Sequence, residues 1–376
     1  MASKILGLIV NPVAGIGGRV GLKGSDGLDI QQLARDLGAQ REASNRAAIA
    51  LRQLHQLEDN FAIITYPGEM GEKSARECGF TPLVIGSIPR GDTTAEDTRL
   101  AASAMRQRGV DLLLFAGGDG TARDIYNVIG DSLPVLGIPA GVKIHSGVYA
   151  INPVSAGELA RQYITGEITT LREGEVMDLD EAAYRTGRVS PRLYGYLKIP
   201  FHRRLLQDRK SPNPSSTASV LDGIAQDVID GMQEDTLYLV GPGTTTLPIL
   251  ARLGLNKTLI GIDVVRNRQL MASDVTEANI LKLLAGHRGV IVVTPIGGQG
   301  HIFGRGNQPF SPRVISQVRR ENIIVVSTPE KIRALNGQPL LVDSGDLDID
   351  QMLSGYMRVI TGYGEQIVYR VRAGLA

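Results

Sequence analysis

Short apolar runs alternate with longer amphipathic stretches through the first part of the chain. Runs at 5–10, 61–66, 82–88, 112–116 and 134–138 read as strands, and 43–57, 94–108 and 121–129 as helices. Strands alternating with helices predict a parallel sheet covered on both faces. Ligands of such sheets sit beyond the carboxyl ends of the strands. The loops at 11–18, 86–92, 117–121 and 137–146 all follow strands and are expected at one rim. Near residue 170 the pattern changes. Stretches 175–184 and 192–200 read as paired strands, and the polar 203–216, with Pro212 and Pro214, as a linker or loop. Alternation then resumes. Strands are expected at 236–240, 258–265, 290–294 and 323–326, helices near 247–253 and 277–285, and a closing hairpin at 356–372 that turns at 362–364. The fold class is α/β. The domains expected are 1–165, a nucleotide-binding parallel α/β domain, and 166–376, in which β pieces at 170–200 and 338–372 flank an α/β unit at 217–337.

Composition adds limits. The 376 residues carry 40 basic and 39 acidic side chains, a net charge of +1, which gives no electrostatic case for nucleic acid or a membrane surface. No apolar run approaches the ~20 residues of a spanning helix. The N-terminus enters a short strand after Lys4, unlike a signal peptide. Cys78 is the single cysteine, which fits a reducing cytoplasm.

The strongest chemical signal is Gly117-Gly118-Asp119-Gly120-Thr121, set between an apolar strand and a helix. Its three glycines let backbone approach a ligand, and a helix N-terminus offers N–H groups to an anion. A carboxylate amid phosphate-binding amides points to a metal or a proton to be moved. Asp124, one turn on, reads equally as helix support or as a second metal ligand with Asp119. Asn11-Pro12-Val13-Ala14-Gly15-Ile16-Gly17-Gly18-Arg19 is a second glycine loop, lacking the last glycine of a dinucleotide fingerprint. Gly15, Gly17, Gly18 and Arg19 suit a phosphate. Asp92, Thr93 and Thr94 read either as substrate-hydroxyl ligands or as a helix cap, with Thr93 and Glu96 at capping-box spacing. Lys143 is the natural cation for a transferring phosphate, and His145 the best-placed histidine. Later, Gly243, Thr244 and Thr245 form a candidate anion turn. Gly297, Gly298 and Arg305 form another, with Asn307 able to read a base or amide.

The loop Gly117–Thr121 resembles the signature of the NAD kinase/diacylglycerol kinase superfamily. Asn11, Pro12 and Gly15 are similar to that superfamily's first loop, and 137–147 falls where its third lies. The stretches 138–143, 241–246 and 297–308 resemble an ATP–NAD kinase-like branch related to the acetoin-catabolism protein X. The resemblance implies an NAD kinase-like N-terminal domain and a soluble, cytoplasmic kinase that uses ATP and Mg2+. NAD is the implied acceptor, phosphorylated at a ribose hydroxyl to give NADP, and homo-oligomers are common in the family. Asp119 would activate the acceptor or hold Mg2+, with Lys143 assisting and Asn11 and Gly15 near the nucleotide. The chain departs from NAD kinases at Asn152, which precedes Pro153 rather than an acid, so the pair that holds the acceptor has no match. Asp124 is closer to the lipid-kinase version of the loop. A nucleotide-binding regulatory protein, or a kinase of another metabolite or of a lipid, is therefore an open alternative.

Overall fold

The computed structural model describes residues 4–22, 28–57, 61–88, 93–142, 144–179, 191–202, 205–206, 218–296 and 299–373. The first part runs β1 (Lys4–Val10), α1 (Leu28–Asp36), α2 (Ala43–Arg52), β2 (Phe61–Thr65), α3 (Glu72–Glu77), β3 (Leu83–Val84), α4 (Ala95–Gln107), β4 (Leu112–Gly117), α5 (Asp119–Ile129), β5 (Val135–Pro139), α6 (Pro153–Ile164), β6 (Leu171–Leu179) and β7 (Pro191–Pro200). The second continues with α7 (Ala218–Asp230), β8 (Thr236–Val240), α8 (Leu247–Arg252), β9 (Asp263–Arg266), β10 (Gln269–Ala272), α9 (Glu277–Leu284), β11 (Arg288–Val293), β12 (His301–Phe303), α10 (Pro312–Val318), β13 (Ile323–Val326), α11 (Pro329–Ala334), β14 (Leu340–Val342), α12 (Leu347–Leu353), β15 (Gly355–Gly362) and β16 (Glu365–Ala373).

Two compact units result. Unit 1 comprises Met1–Ile16 and Gly24–Arg209; unit 2 comprises Gly17–Lys23 and Lys210–Ala376. Unit 1 is built on a parallel sheet in the order β3-β2-β1-β4-β5. Strand β4, paired with β1 on one side and β5 on the other, is buried at every position, as expected of a strand covered on both faces. Parallel strands put the carboxyl ends of β1, β4 and β5 side by side, and that adjacency positions the site below. The β6–β7 antiparallel hairpin packs on α5 and β5 and groups with this unit. The boundary expected at 165/166 falls between α6 and this hairpin.

Unit 2 carries a nine-stranded mixed sheet, in the order β10-β9-β8-β11-β13-β15-β16-β14-β12. Its core shows the two-residue period of a strand directly. Leu237, Leu239, Ile291 and Val293 face one layer with Ile280, Val314 and Phe303. Tyr238, Val240, Val290 and Val292 face the other with Ile224, Val228 and Ile249 of α7 and α8. The closing pieces near 338–372 are continuous with this sheet, because β15 pairs with β13 in parallel and with β16 antiparallel. Of the strand expected at 258–265, only the last part is realised, as β9. Lys257 and Asp263 form a buried ion pair at 2.9 Å, and Asp263 also accepts from Thr258 N and Asp274 N, which pins the preceding loop.

Candidate functional site

Three loops of unit 1 meet at the carboxyl ends of β1, β4 and β5. The glycine loop leaves β4 at Gly117, whose carbonyl accepts from Ala140 N at 2.9 Å and Gly141 N at 3.0 Å. The β4 and β5 loops are thereby joined by backbone. The β1 loop approaches as closely: a Cβ on Gly15, at φ +74°, would stand 2.0 Å from the Ala140 carbonyl oxygen. A side chain cannot occupy that space, so glycine here follows from contact and backbone conformation together. Gly118 lies against Gly141, with 3.2 Å from a built Cβ to the Gly141 Cα. Asn11 begins the β1 loop. Its N–H donates to Ala116 O at 2.9 Å, its Oδ1 accepts from Val13 N, and its Nδ2 donates to Thr121 Oγ1 at 2.9 Å.

Asp119 is the first residue of α5 and is 7% exposed. Its Oδ2 accepts from the His145 N–H at 2.7 Å and lies 3.2 Å from His145 Nδ1, and its Oδ1 accepts from the Ser146 N–H at 3.0 Å. The carboxylate is thus held in one orientation by the loop after β5. That loop is held in turn, since Ser146 Oγ donates to Met177 O and accepts from Met177 N on β6. Tyr149 closes the floor. It is fully buried, packs edge-on against Phe115, and donates its hydroxyl to Gly118 O at 2.5 Å. Burial, with the charges of Asp119 and Asp178 nearby, pushes its phenol well above 10. Gly137 in β5 leaves room for the ring; a Cβ there would lie 2.3 Å from Tyr149 Cδ1.

The structure brings together Asn11, Gly15, Gly117, Gly118, Asp119, Gly120 and Thr121. Gly17, Gly18 and Arg19 group with unit 2, where the Arg19 carbonyl accepts from Glu277 N at 3.2 Å. Asp124 accepts from Arg99 Nη1 at 3.0 Å, bracing α5 against α4. Thr94, not Thr93, caps α4: its N and Oγ1 both donate to Asp97 Oδ2, at 2.8 and 2.9 Å. Asn152 caps α6, accepting from Ser155 N. In unit 2, Arg305 forms a buried ion pair with Asp343 at 2.7 Å, so its charge is answered within the fold. Asn307 is 1% exposed and donates to Ile302 O while accepting from Gly304 N. Thr244 is exposed, whereas Thr245 is buried and accepts from Lys331 Nζ at 2.9 Å. Lys143, Asp92, Gly297 and Gly298 lie outside the described residues.

Sequence reasoning missed Tyr149, Ser146 and Lys331. The lone Gly137 inside an otherwise apolar strand was a readable sign that a bulky group crosses β5. An Mg2+ ion that arrives on nucleotide phosphates needs one or two protein carboxylates. Asp119 keeps acceptor capacity beyond its two N–H partners, so the residues fit such an ion. Among the described residues no three His, Cys, Asp or Glu side chains are arranged to hold a metal by themselves.

An α/β protein with strand-end glycine loops closed around one buried carboxylate is the class that this geometry defines. Residues 6–168 match the model of the ATP-NAD kinase N-terminal domain, and 233–371 that of the ATP-NAD kinase C-terminal domain. The chain belongs to the ATP-NAD kinase family. No curated protein matches it. Two solved structures provisionally assigned as a diacylglycerol kinase of Bacillus anthracis str. Sterne are similar at 16% identity over 47% of this chain, with TM-scores of 0.26. The chain spans under half their length, 43% and 46%. A UDP-N-acetylglucosamine 2-epimerase structure aligns over 94% of this chain and 77% of its own, at 9% identity and a TM-score of 0.26. Among the described residues, no helix is long and apolar enough to cross a membrane.

Proposed function

We propose that the chain is an ATP-dependent kinase of small molecules that transfers a phosphoryl group to a ribose hydroxyl of NAD(H), giving NADP(H), in the cytoplasm. The observation that carries this reading is the buried, oriented Asp119 carboxylate at the meeting point of three strand-end loops. Phosphoryl transfer asks a protein mostly for positioning and charge stabilisation. The loop Gly117–Thr121 supplies close backbone approach, and Asn11 fixes Thr121. Asp119 takes the proton of the attacking hydroxyl, a role that needs hydrogen-bond reach and a fixed orientation. The oxygens of Asp119 have lone pairs for this beyond those used by His145 and Ser146. Lys143, in the same loop sequence as His145, is the candidate cation. Mg2+ carried on the ATP phosphates would supply charge neutralisation there, and Asp119 is the carboxylate that would hold it in the alternative to acting as the base.

The test is NADP formation from NAD, ATP and Mg2+ by the purified full chain. Turnover that falls at least a hundredfold in Asp119→Ala supports the reading. ATP consumption with another acceptor and none with NAD or NADH removes the NAD assignment while keeping the kinase.

One observation favours a second reading. Both Asp119 oxygens are tied to main-chain N–H groups, so the residue also serves as a staple between α5 and the β5 loop. A regulatory nucleotide-binding protein would keep the staple and lack turnover. Calorimetric binding of ATP or NAD, with no phosphotransfer to any acceptor tried, would establish it.

A further inference from the structure

Unit 2 has its own strand-end rim, which the kinase reading does not use. Strands β8, β11 and β13 are adjacent and parallel, so their carboxyl ends lie side by side. Past β8 the chain enters Gly241–Thr246, past β11 it reaches Thr294 and Pro295, and past β13 it turns into α11. Lys331 comes from α11 and reaches the other two loops. Its Nζ donates to Thr245 Oγ1 at 2.9 Å and to Pro295 O at 3.5 Å. The lysine is 7% exposed and Thr245 1%, so a cation and a hydroxyl are held together in a largely dry setting.

Two further features mark this as more than a structural knot. Thr294 is 2% exposed, and its Oγ1 is buried with no hydrogen-bond partner. An unmet buried hydroxyl is a cost that a valine of the same shape would avoid. Gly243 sits beside it at φ +129°, where a Cβ would come within 2.8 Å of Thr294 Cγ2. The glycine lets the backbone lie close to Thr294, and the next residue, Thr244, is exposed. The neighbouring acid in the chain, Glu330, is paired with Arg333 at 2.8 Å.

We propose that Gly243, Thr244, Thr245, Thr294 and Lys331 form an anion site that takes the phosphate group of a phosphorylated small molecule. Carboxyl-end rims of parallel strands are where α/β sheets bind ligands. A lysine ammonium suits phosphate as a point charge, and hydroxyls supply the directed donors. The site stands on unit 2 alone and does not depend on the kinase assignment of unit 1.

The experiment is a calorimetric titration of the full-length protein with inorganic pyrophosphate, with acetate as a comparison anion. Lys331→Met should weaken pyrophosphate binding by about tenfold or more, the scale of one charge-assisted hydrogen bond. Thr294→Val should weaken it several-fold without lowering the melting temperature. The second variant keeps the test sharp if the first does not fold. A Thr294 that serves packing only would give a valine variant of equal or higher melting temperature and unchanged affinity, which overturns the proposal. So would pyrophosphate binding that survives Lys331→Met and vanishes in Gly15→Ala, because the anion would then belong to unit 1. Equal binding of acetate would reject a phosphate preference.

Discussion

The side-chain amide of Asn11 donates to the hydroxyl of Thr121 across 2.9 Å, joining the loop after β1 to the first turn of α5. The two residues are 110 positions apart, and each comes directly after its own strand or glycine loop. Thr121 also fills the space over Gly117, where a built Cβ would approach its Cβ to 2.5 Å. The pair therefore sets how far apart the two loops stand.

A double-mutant cycle of Asn11→Ala and Thr121→Val measures that link. Each single change should destabilise the protein, and the coupling should come to about 0.5–1.5 kcal/mol, the net worth of a neutral hydrogen bond. Urea denaturation followed by circular dichroism gives the four free energies. Additive effects, with no coupling, would mean that the two loops are positioned independently.

Asp119→Asn separates the structural from the chemical role of the acid. The carboxylate accepts from two main-chain N–H groups, whereas an amide offers one oxygen and turns an NH2 toward the second donor. Asn should therefore cost about 1–3 kcal/mol of stability. Asp119→Ala, which leaves both donors bare, should cost more. Denaturant midpoints in the order wild type, Asn, Ala are the expected outcome. A carboxylate that is not a staple would give an Asn variant as stable as wild type.

Much of unit 1 was legible because local pattern and tertiary environment agree there. The apolar run at 112–116 is buried throughout as part of β4, and the glycine loop behind it opens α5 as its sequence suggests. The hairpin turn at 362–364 likewise follows from its glycines. What could not be read depends on which distant segment arrives. Nothing near Asp119 in sequence says that the N–H groups of His145 and Ser146 will face it. Arg305 reads as a phosphate fork until Asp343 meets it from β14's end. Arg19 follows its loop glycines in sequence, yet groups with unit 2 through Glu277. The capping of α4 slipped by one residue, from Thr93 to Thr94, because Asp97 and Glu96 are both acids at plausible spacing and only the helix start decides between them.

Two glycines with nearly the same backbone separate strain from contact. Gly15 at φ +74° faces Ala140 O at 2.0 Å, and Gly38 at φ +76° has nothing within 4 Å of its would-be Cβ. Gly38→Ala should lose about 1–2 kcal/mol, the cost of an L-residue in the left-handed region. Gly15→Ala carries that strain plus a backbone collision, so it should lose at least twice as much. Nucleotide binding should fall with it. Equal losses in thermal denaturation would show that the β1 loop yields to the methyl group, and the close approach of the loops would then not be a constraint.

Tyr149 links the site to alkaline stability. Its phenol is fully buried and its ionisation is pushed well above the ordinary 10 by desolvation first, then by Asp119 and Asp178. A folded-state value above the unfolded one means that the neutral phenol contributes stability below about pH 10, which is lost as pH rises from there toward the folded value. Wild type should therefore lose stability in alkali more steeply than Tyr149→Phe, which has no proton to release. Near neutral pH wild type should be the more stable of the two by a small margin. Phe forfeits the bond to Gly118 O, about 0.5–1.5 kcal/mol, while that carbonyl keeps its second donor, Ala122 N. Denaturation midpoints of both proteins from pH 7 to 11 should converge as pH rises. Parallel curves across the range would show that the phenol titrates in the native state and that its burial does not govern the alkaline limit.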